Sequence, residues 1–298
     1  TLRTFERAME GPPQRSALLA DELLAVASLR RRQLTLLDPE SGALVRLANG
    51  HSSPVRTLAY VPATGELLSG DVEGFVRVWD PNCTGGLTLL RGHENDVWAL
   101  DLAADGRLLA SGGRDGRVFL WELARGELMR TFAEPGAPVD DLEFDAAGEQ
   151  LHATCRDGAL YTFDVRTGAR TSATQAGIGA LYGLARIGSS GELLVVGDDG
   201  IALVQPGAGG LASVRVVSDE GAYACEAVAG EDVVAVVRTG EVARLRARTG
   251  AVVWSSAFRP TASGLAVDAS LGLCAVVRDD APVAPLDLGT GELVEPYA

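Results

Sequence analysis

The chain has 298 residues, of which 47% are hydrophobic, and a formal net charge of −14 at neutral pH. This acidic balance argues against broad contacts with nucleic acid or anionic membranes, because such contacts need clustered Lys and Arg. No apolar run approaches the ~20 residues of a membrane helix, and no secretory leader pattern opens the chain. We therefore expect a cytoplasmic protein. Since the first residue is Thr1 and not Met, we also expect a piece of something longer.

Two further features of the composition bear on the source and the compartment. All 26 basic residues are arginine, and together with 36 glycines this is typical of GC-rich bacterial coding. The cysteines fall in different parts of the chain without a Cys-x-x-Cys pair, which predicts free core thiols and no metal or disulfide framework. They are Cys83, Cys155, Cys225 and Cys274.

A short apolar run ends in the same way seven times, and the intervals between these ends are 42, 42, 42, 41, 41 and 41 residues. A constant period of ~40 to 45 residues is typical of four-stranded propeller blades. The sequence therefore predicts an all-β, seven-bladed β-propeller in which residues 1–298 form one domain and each blade is a four-stranded antiparallel sheet. The predicted ends of the third strands are Leu37, Trp79, Trp121, Phe163, Val204, Leu245 and Leu286.

The first apolar segment predicts how such a ring closes. Residues 2–5 (Leu-Arg-Thr-Phe) match residues 129–132 (Met-Arg-Thr-Phe), which read as a fourth, outer strand. We expect residues 2–5 to pair with the last third strand, near residues 283–287. Residues 292–295 could supply the same strand locally, and both segments cannot occupy one edge. The N-terminal segment is the favoured alternative.

The second and third repeats carry the clearest motifs. Gly50-His51 precedes Trp79-Asp80, and Gly92-His93 precedes Trp121-Glu122. Between them, alternating apolar residues bounded by Asp-Gly and Gly-rich turns predict strands in each repeat. In the third repeat we expect strands over residues 96–102, 107–111, 117–121 and 128–132.

These motifs resemble the WD40 repeat family, which has Gly-His near the start of a repeat and Trp-Asp at its end. The resemblance implies a buried hydrogen-bonded tetrad of a His, a strand Ser or Thr, a turn Asp and the Trp. The third repeat has all four: His93, Ser111, Asp115 and Trp121. The second repeat has His51, Ser69 and Trp79, with Glu73 where the turn Asp is expected.

The motifs weaken after the third repeat. Phe163 replaces Trp in the fourth, although Arg156-Asp157-Gly158 keeps the turn. Asp198-Asp199-Gly200 keeps it in the fifth, and the sixth and seventh repeats retain only the spacing and the β pattern. The resemblance thus covers the whole chain by period, but by strong motif only residues 50 to 165.

Residues that suggest catalysis have a simpler explanation. His51 and His93 belong to the tetrads, and His152 lies in a strand without a neighbouring ligand pattern. No Gly-x-Ser-x-Gly nucleophile motif is present, and acidic pairs such as Asp140-Asp141 fit turns and solvated edges. We expect no enzymatic activity, no catalytic or metal site and no cofactor.

A surface for partners follows from the resemblance. In the family, the loops entering the first strands and the turns between second and third strands line one face around the central channel. The matching residues at the first strands are Arg56, Trp98, Asp140 and Tyr182, and those at the turns include Arg114 and Arg156. Aromatic residues and Arg are typical of interface hot spots. An alternative places Trp98 in the core, because Val97 and Ala99 bracket it.

We therefore expect a non-enzymatic scaffold or sensor that binds a protein or peptide with acidic groups, and neither nucleic acid nor membrane. The resemblance also implies a domain or subunit of a larger bacterial signalling or defence assembly. One alternative is a propeller-fold enzyme with acidic residues at the central channel, which requires converging carboxylates with perturbed pKa values. The other is a purely structural subunit.

Overall fold

The computed structural model describes residues 13–18, 24–28, 32–38, 44–61, 63–80, 86–132, 135–188, 191–206, 213–228, 232–237, 241–257, 262–268, 272–278 and 281–294. The regular elements in these ranges are all β-strands. Within the same ranges, the protein has no helix that is long and apolar enough to span a membrane. The described chain is therefore all-β.

The described strands form seven antiparallel sheets, each built from consecutive strands. The first sheet contains β1 (Pro13–Leu18), β2 (Leu24–Ser28), β3 (Gln33–Leu37) and β4 (Leu44–Asn49). The second contains β5 (Val55–Val61), β6 (Glu66–Asp71), β7 (Phe75–Trp79) and β8 (Gly86–Arg91). The third contains β9 (Val97–Leu102), β10 (Leu108–Gly113), β11 (Val118–Glu122) and β12 (Glu127–Thr131). The fourth contains β13 (Val139–Phe144), β14 (Gln150–Cys155), β15 (Ala159–Asp164) and β16 (Arg170–Gln175).

The C-terminal half continues in the same order. The fifth sheet contains β17 (Leu181–Ile187), β18 (Glu192–Gly197), β19 (Gly200–Gln205) and β20 (Ser213–Ser218). The sixth contains β21 (Ala222–Ala227), β22 (Asp232–Val237), β23 (Glu241–Arg246) and β24 (Ala251–Ala257). The seventh contains β25 (Ala262–Asp268), β26 (Leu273–Arg278) and β27 (Ala281–Asp287). Each third strand ends at, or one residue after, the position that the period predicts.

Turn chemistry explains why the third sheet folds locally. Gly106 and Gly116 adopt positive φ angles of 68° and 73° in the turns before β10 and β11, a conformation that costs glycine little. The carboxylate of Asp105 accepts the backbone N–H of Arg107 at 2.9 Å, which closes the first of these turns. Such Asp-Gly turns connect consecutive strands into hairpins.

Alternate residues of a strand pack against different neighbouring sheets, as the two-residue period requires. In β11, Leu120 packs with Phe144 and Phe163 of the fourth sheet, whereas Trp121 packs with Val61 and Leu90 of the second. Each sheet therefore buries both of its faces between neighbours, and the core consists of successive layers between sheets.

The first strands of successive sheets contact one another in the order β1, β5, β9, β13, β17, β21 and β25, and β25 also contacts β1. By contrast, fourth strands such as β12 and β20 are largely exposed. The first strands therefore lie inside the assembly of sheets and the fourth strands outside, which is consistent with a WD40-type β-propeller.

The seventh sheet has three described strands, and its last strand, β27, contacts the chain that follows. Leu286 forms an isolated antiparallel bridge with Leu293, and the N–H of Asp287 donates to the carbonyl of Glu292 at 2.9 Å. The segment Leu2–Phe5, predicted to occupy this edge, lies outside the described residues. The sequence offered two candidates for this edge, residues 2–5 and residues 292–295. The described part of the C-terminal candidate pairs with β27 through Glu292 and Leu293.

Three of the four cysteines are described. Cys155, Cys225 and Cys274 are buried thiols outside any disulfide, and burial raises the pKa of the Cys155 and Cys274 thiols above the ordinary range. These side chains behave as small apolar core residues. Cys83 lies outside the described residues.

An irregularity recurs at the second residue of the first strands. In the fourth sheet, Val139 pairs with Cys155 and Asp141 with Thr154, so Asp140 has no partner in the register. The same shift occurs in all seven first strands, within the registers that the structure describes. Such a bulge leaves one residue unpaired and redirects its side chain.

Candidate partner-binding site

The third sheet contains a hydrogen-bonded tetrad of side chains. His93 Nδ1 lies 3.0 Å from the Asp115 carboxylate, and His93 Nε2 lies 2.9 Å from Ser111 Oγ. The indole N–H of Trp121 donates to Ser111 Oγ at 2.8 Å. Neutral His93 with its proton on Nδ1 gives every group a partner, since the Ser hydroxyl can then donate to Nε2.

The electrostatics of Asp115 follow from this arrangement. Burial raises the pKa of its carboxyl, but the hydrogen bonds from His93 and from the backbone N–H groups of Glu94 and Arg117 lower it, and the net effect is a lowered pKa. The ionised Asp115 carboxylate therefore stabilises the fold at pH values above the ordinary pKa of an aspartate. This contribution is lost as the pH falls through the lowered pKa of Asp115.

The second sheet has the same network, completed by an acid that the sequence analysis did not assign. His51 Nδ1 lies 2.8 Å from Asp71, and His51 Nε2 lies 2.6 Å from Ser69 Oγ, which also accepts the indole N–H of Trp79 at 2.7 Å. Glu73 instead accepts a hydrogen bond from the hydroxyl of Ser52.

The acid can stand at either of two positions because both reach the same histidine nitrogen. Asp71 is the last residue of β6, whereas its counterpart in the third sheet is Gly113. A Cβ at Gly113 would lie 2.4 Å from the carbonyl oxygen of Asp96, so no side chain fits there. The third sheet therefore supplies its carboxylate two residues later, from Asp115.

The bulges explain the exposure of the predicted partner-binding residues. Trp98 is half-buried, although both neighbours in β9, Val97 and Ala99, are buried. The bulge directs the Trp98 ring away from the core, so the core alternative for this residue is wrong. Arg56, Asp140 and Tyr182 occupy the same bulged position of β5, β13 and β17.

A fifth residue of this kind, Tyr223, was missed in the sequence although the period of 41 residues leads to it from Tyr182. It is the bulged residue of β21, is 39% exposed, and its ring lies 5.5 Å from that of Tyr182. We name these five bulged residues the bulge arc: Arg56, Trp98, Asp140, Tyr182 and Tyr223.

Arg156, from the turn after β14, joins the bulge arc across several sheets. Its guanidinium carbon lies 4.4 Å from the centre of the Trp98 ring and 5.5 Å from that of Tyr182. Its Nε and Nη2 donate to the two carboxylate oxygens of Asp140 at 2.9 and 3.1 Å. Stacking on two rings and a bidentate ion pair hold this cation in one orientation.

The other end of the bulge arc is held by Asp96, which sequence reasoning also missed. Arg56 donates through Nε and Nη2 to one oxygen of Asp96 at 3.1 and 2.9 Å, and the indole N–H of Trp98 reaches the same oxygen at 3.3 Å. Arg114 is exposed next to this group, with its backbone N–H bonded to the carbonyl of Asp96. The predicted face residues thus come together.

The charge of this face differs from a simple concentration of arginines. Asp96 and Asp140 each pair with one guanidinium, and Asp198 accepts the hydroxyl of Tyr182 at 3.0 Å. The hydrogen bonds that Arg156 donates to Asp140 raise the pKa of the guanidinium, so it stays charged. The face is therefore a balanced array of acids, guanidiniums and rings with set orientations.

Carboxylates also converge on the inner strands, as the enzyme alternative requires. Burial raises the pKa of Asp101 to about 7, and burial together with the charge of Asp101 raises the pKa of Glu143 well above its usual value. Their oxygens have structural partners, however. Asp101 accepts the backbone N–H of Phe144 at 2.6 Å, and Arg186 donates to the carbonyl of Phe144 and pairs with Glu143. These groups tie neighbouring inner strands together.

His152 lies apart from the tetrads. It is 3% exposed, its Nδ1 lies 3.1 Å from Thr162 Oγ1, and burial lowers its pKa to about 4. It lines a cavity of about 300 Å³ together with Asp145 and Arg186. Among the described residues, no group of three or more His, Cys, Asp or Glu side chains is arranged to hold a metal ion.

The four-stranded sheets with two His-Ser-Trp-Asp networks are consistent with the all-β repeat proteins of WD40 type. Residues 42–80 and 86–122 match the family model described as "WD domain, G-beta repeat". These segments contain the second repeat and most of the third, where the motifs are strongest. The match supports the WD40 repeat family for this chain.

Similar proteins carry WD repeats in their names. The chain is 30% identical to the WD repeat-containing protein VIP3 of Arabidopsis thaliana over 43% of this chain and 44% of the relative. It is 30% identical to the F-box-like/WD repeat-containing protein TBL1X of Mus musculus over 44% of this chain and 27% of the relative. The aligned region is thus less than half of either relative, and both sources are eukaryotic, which does not support the bacterial source expected from composition.

Proposed function

We propose that this chain is a non-enzymatic protein-interaction scaffold or sensor whose bulge arc binds a protein or peptide. The observation that carries the proposal is the continuous contact from Arg56 through Trp98 and Arg156 to Tyr182 and Tyr223, which spans five sheets. Half-exposed rings and oriented guanidiniums bury large area with little entropy to lose, as interface hot spots do. Similarity to WD repeat proteins supports the same function.

The framework of this surface is, in our proposal, a closed seven-bladed propeller formed by residues 1–298. Seven described sheets and the contact of β25 with β1 support closure. In a closed ring, the bulged residues of the first strands surround the central channel at one end. This end is opposite to the turns between third and fourth strands, because successive antiparallel strands alternate in direction.

The partner in this proposal carries acidic groups, and the surface does not serve nucleic acid or membranes. Three guanidiniums, those of Arg56, Arg114 and Arg156, lie on the bulge-arc face of a chain with net charge −14. A local guanidinium cluster in an acidic protein favours carboxylate-bearing segments. A cytoplasmic location and a place in a larger signalling or defence assembly remain part of the proposal.

The test is affinity capture of partners from the source organism with the wild type and Trp98→Ala side by side. Trp98→Ala or Arg114→Glu is expected to weaken binding at least ~10-fold, or about 1.4 kcal/mol, without unfolding the protein. Arg125→Glu and Arg166→Glu are matched controls, because both exposed residues follow third strands at the opposite end. A partner lost with the Arg125 variant and retained by Trp98→Ala would contradict the proposal.

The enzyme and structural-subunit alternatives make different demands. An enzyme needs the inner-strand carboxylates for turnover, whereas the contacts of Asp101 and Arg186 with the backbone of Phe144 support a structural role for them. A purely structural subunit would tolerate Trp98→Ala in its assembly. Capture that depends on Trp98 therefore separates the scaffold from the structural alternative.

A further inference from the structure

Arg56 and Arg156 are each held in place by the carboxylate of one aspartate. Each donates through Nε and Nη2 to one aspartate, Asp96 for Arg56 and Asp140 for Arg156. In the part of the chain that the structure describes, no hydrogen bond recorded for either residue uses Nη1. The two side chains are 27% and 46% exposed, so solvent reaches them.

A guanidinium can bind a carboxylate along two edges. One edge presents Nε and one N–H of Nη2, and the other presents N–H groups of Nη1 and Nη2. The aspartates occupy the first edge of both arginines, which leaves the second edge oriented and accessible. The aspartates also neutralise much of the positive charge. The second edge of each guanidinium therefore binds a ligand mainly through its fixed pair of N–H donors, which we call a fork, and less through its net charge.

Trp98 connects the two forks. Its indole N–H contacts the oxygen of Asp96 that holds Arg56, and its ring lies under the guanidinium of Arg156. The three side chains come from the second, third and fourth sheets in succession. An apolar contact surface therefore lies between two carboxylate-binding forks.

We propose that the partner is an extended segment in which two carboxylates flank an apolar or aromatic residue, one carboxylate on the second edge of Arg56 and the other on that of Arg156. This inference rests on the proposed function, since it names the partner chemistry at the same surface. Lysine cannot replace either arginine, because an ammonium has no planar pair of donors. Pre-orientation by Asp96 and Asp140 reduces the entropy that binding costs.

The experiment is selection of a random peptide library on the wild-type protein, followed by affinity measurements on the selected peptides. The expected peptides contain an acidic, an apolar and an acidic residue in that order. Arg156→Lys and Arg56→Lys are each expected to weaken them at least ~10-fold, and Arg125→Lys is the control with unchanged affinity. Thermal melting checks that each variant is folded, and two independent variants keep the test decisive if one is not.

The outcomes separate this inference from the proposed function. Peptides that require Trp98 but lack paired acids, or that bind the lysine variants as well as the wild type, would overturn the fork inference and leave the scaffold proposal intact. A selection that yields no Trp98-dependent peptide would contradict the proposed function itself, and the inference with it.

Discussion

The second and third sheets place polar networks in their cores, whereas the fifth to seventh sheets are held by aliphatic packing. His51, Ser69 and Asp71 are buried in the second sheet, and His93 and Ser111 in the third. Among the residues whose burial is described, the last buried polar side chain along the chain is Thr162, in the fourth sheet. The two halves nevertheless form sheets of the same topology.

The position of the repeat tryptophan shows what this difference teaches. Trp79 and Trp121 donate to a serine, but Val204, Leu245 and Leu286 are buried at the same place in later sheets without a donor. Burial at this position is thus common to both halves, and the tetrad is an addition to it. A tetrad increases local stability only while every member is satisfied, because an orphaned polar group in a core is costly.

The largest loss of stability is expected when the tryptophan of a tetrad is replaced by an aliphatic residue. Trp121→Leu removes much of a buried ring and leaves Ser111 Oγ without its indole donor, so we expect a loss of about 3 kcal/mol in the free energy of unfolding. Phe163→Leu, at the same place in the fourth sheet, should cost about 1 kcal/mol. Urea denaturation compares the two, and equal losses would mean that the polar network contributes nothing.

The second prediction concerns the acid of the second sheet. Asp71→Ala deprives His51 and the following turn of a buried carboxylate, so we expect destabilisation by about 2 kcal/mol. Glu73→Ala removes an exposed hydrogen bond and should change the free energy by less than about 0.5 kcal/mol. Thermal melting ranks the two variants, and a larger effect of Glu73→Ala would contradict the role of Asp71 as the acid of this network.

The third prediction contrasts His152, which has no acid partner in the hydrogen bonds described, with the tetrad histidines. Burial lowers its pKa from 6.5 to about 4, so between these pH values the unfolded chain binds a proton that the folded chain does not. Stability is therefore lost as the pH falls through this window. The full shift corresponds to about 3 kcal/mol, and relaxation of the protein around the charged imidazole reduces it, so we expect wild type to lose about 1.5 kcal/mol more than His152→Gln between pH 7 and 4. Parallel curves in chemical denaturation would contradict this.

The smallest effect is expected at the inner strands of the third and fourth sheets. The raised pKa of Asp101, about 7 against 3.8, means that the unfolded chain ionises first as the pH rises. Stability is present below the lower value and is lost as the pH rises through the higher one. The full shift corresponds to about 4 kcal/mol, but Asp101 is only half-buried, so solvent screens its charge. Relative to Asp101→Asn, we therefore expect wild type to lose about 1 kcal/mol between pH 4 and 8. Asp105→Asn, in an exposed turn, is the control and should follow wild type.

The period alone predicted the ends of the third strands, because each repeat forms one sheet and equivalent strands therefore end at a constant spacing along the chain. The tetrad of the third sheet also followed from residue types at family spacing. The acid of the second sheet was not found from the sequence, because two backbone positions can bring a carboxylate to one imidazole. In the third sheet, the close approach of Gly113 to Asp96 decides between them. A one-dimensional motif does not contain that distance.

The contacts within the bulge arc were harder to predict from the sequence. Repeat spacing places Arg56 and Trp98 in equivalent positions, but not the bulge that turns Trp98 outward between two buried neighbours. Asp96 was missed because the sequence predicted it as the first residue of a strand over residues 96–102, whereas β9 begins at Val97 and Asp96 lies just before it. Tyr223 was within reach, since the 41-residue period continues to it from Tyr182.

The recurrent bulge has a consequence for how such a surface diversifies. A residue in a regular ladder is constrained by its cross-strand neighbour and by the layer into which it packs. The bulged residue has no register partner, so each sheet contributes one position whose side chain can change while the ladder stays intact. Arginine, tryptophan, aspartate and tyrosine already occupy it in this one chain. A substitution at one bulged residue can therefore change this surface in a single sheet, while the regular ladder residues that stabilise the fold stay the same.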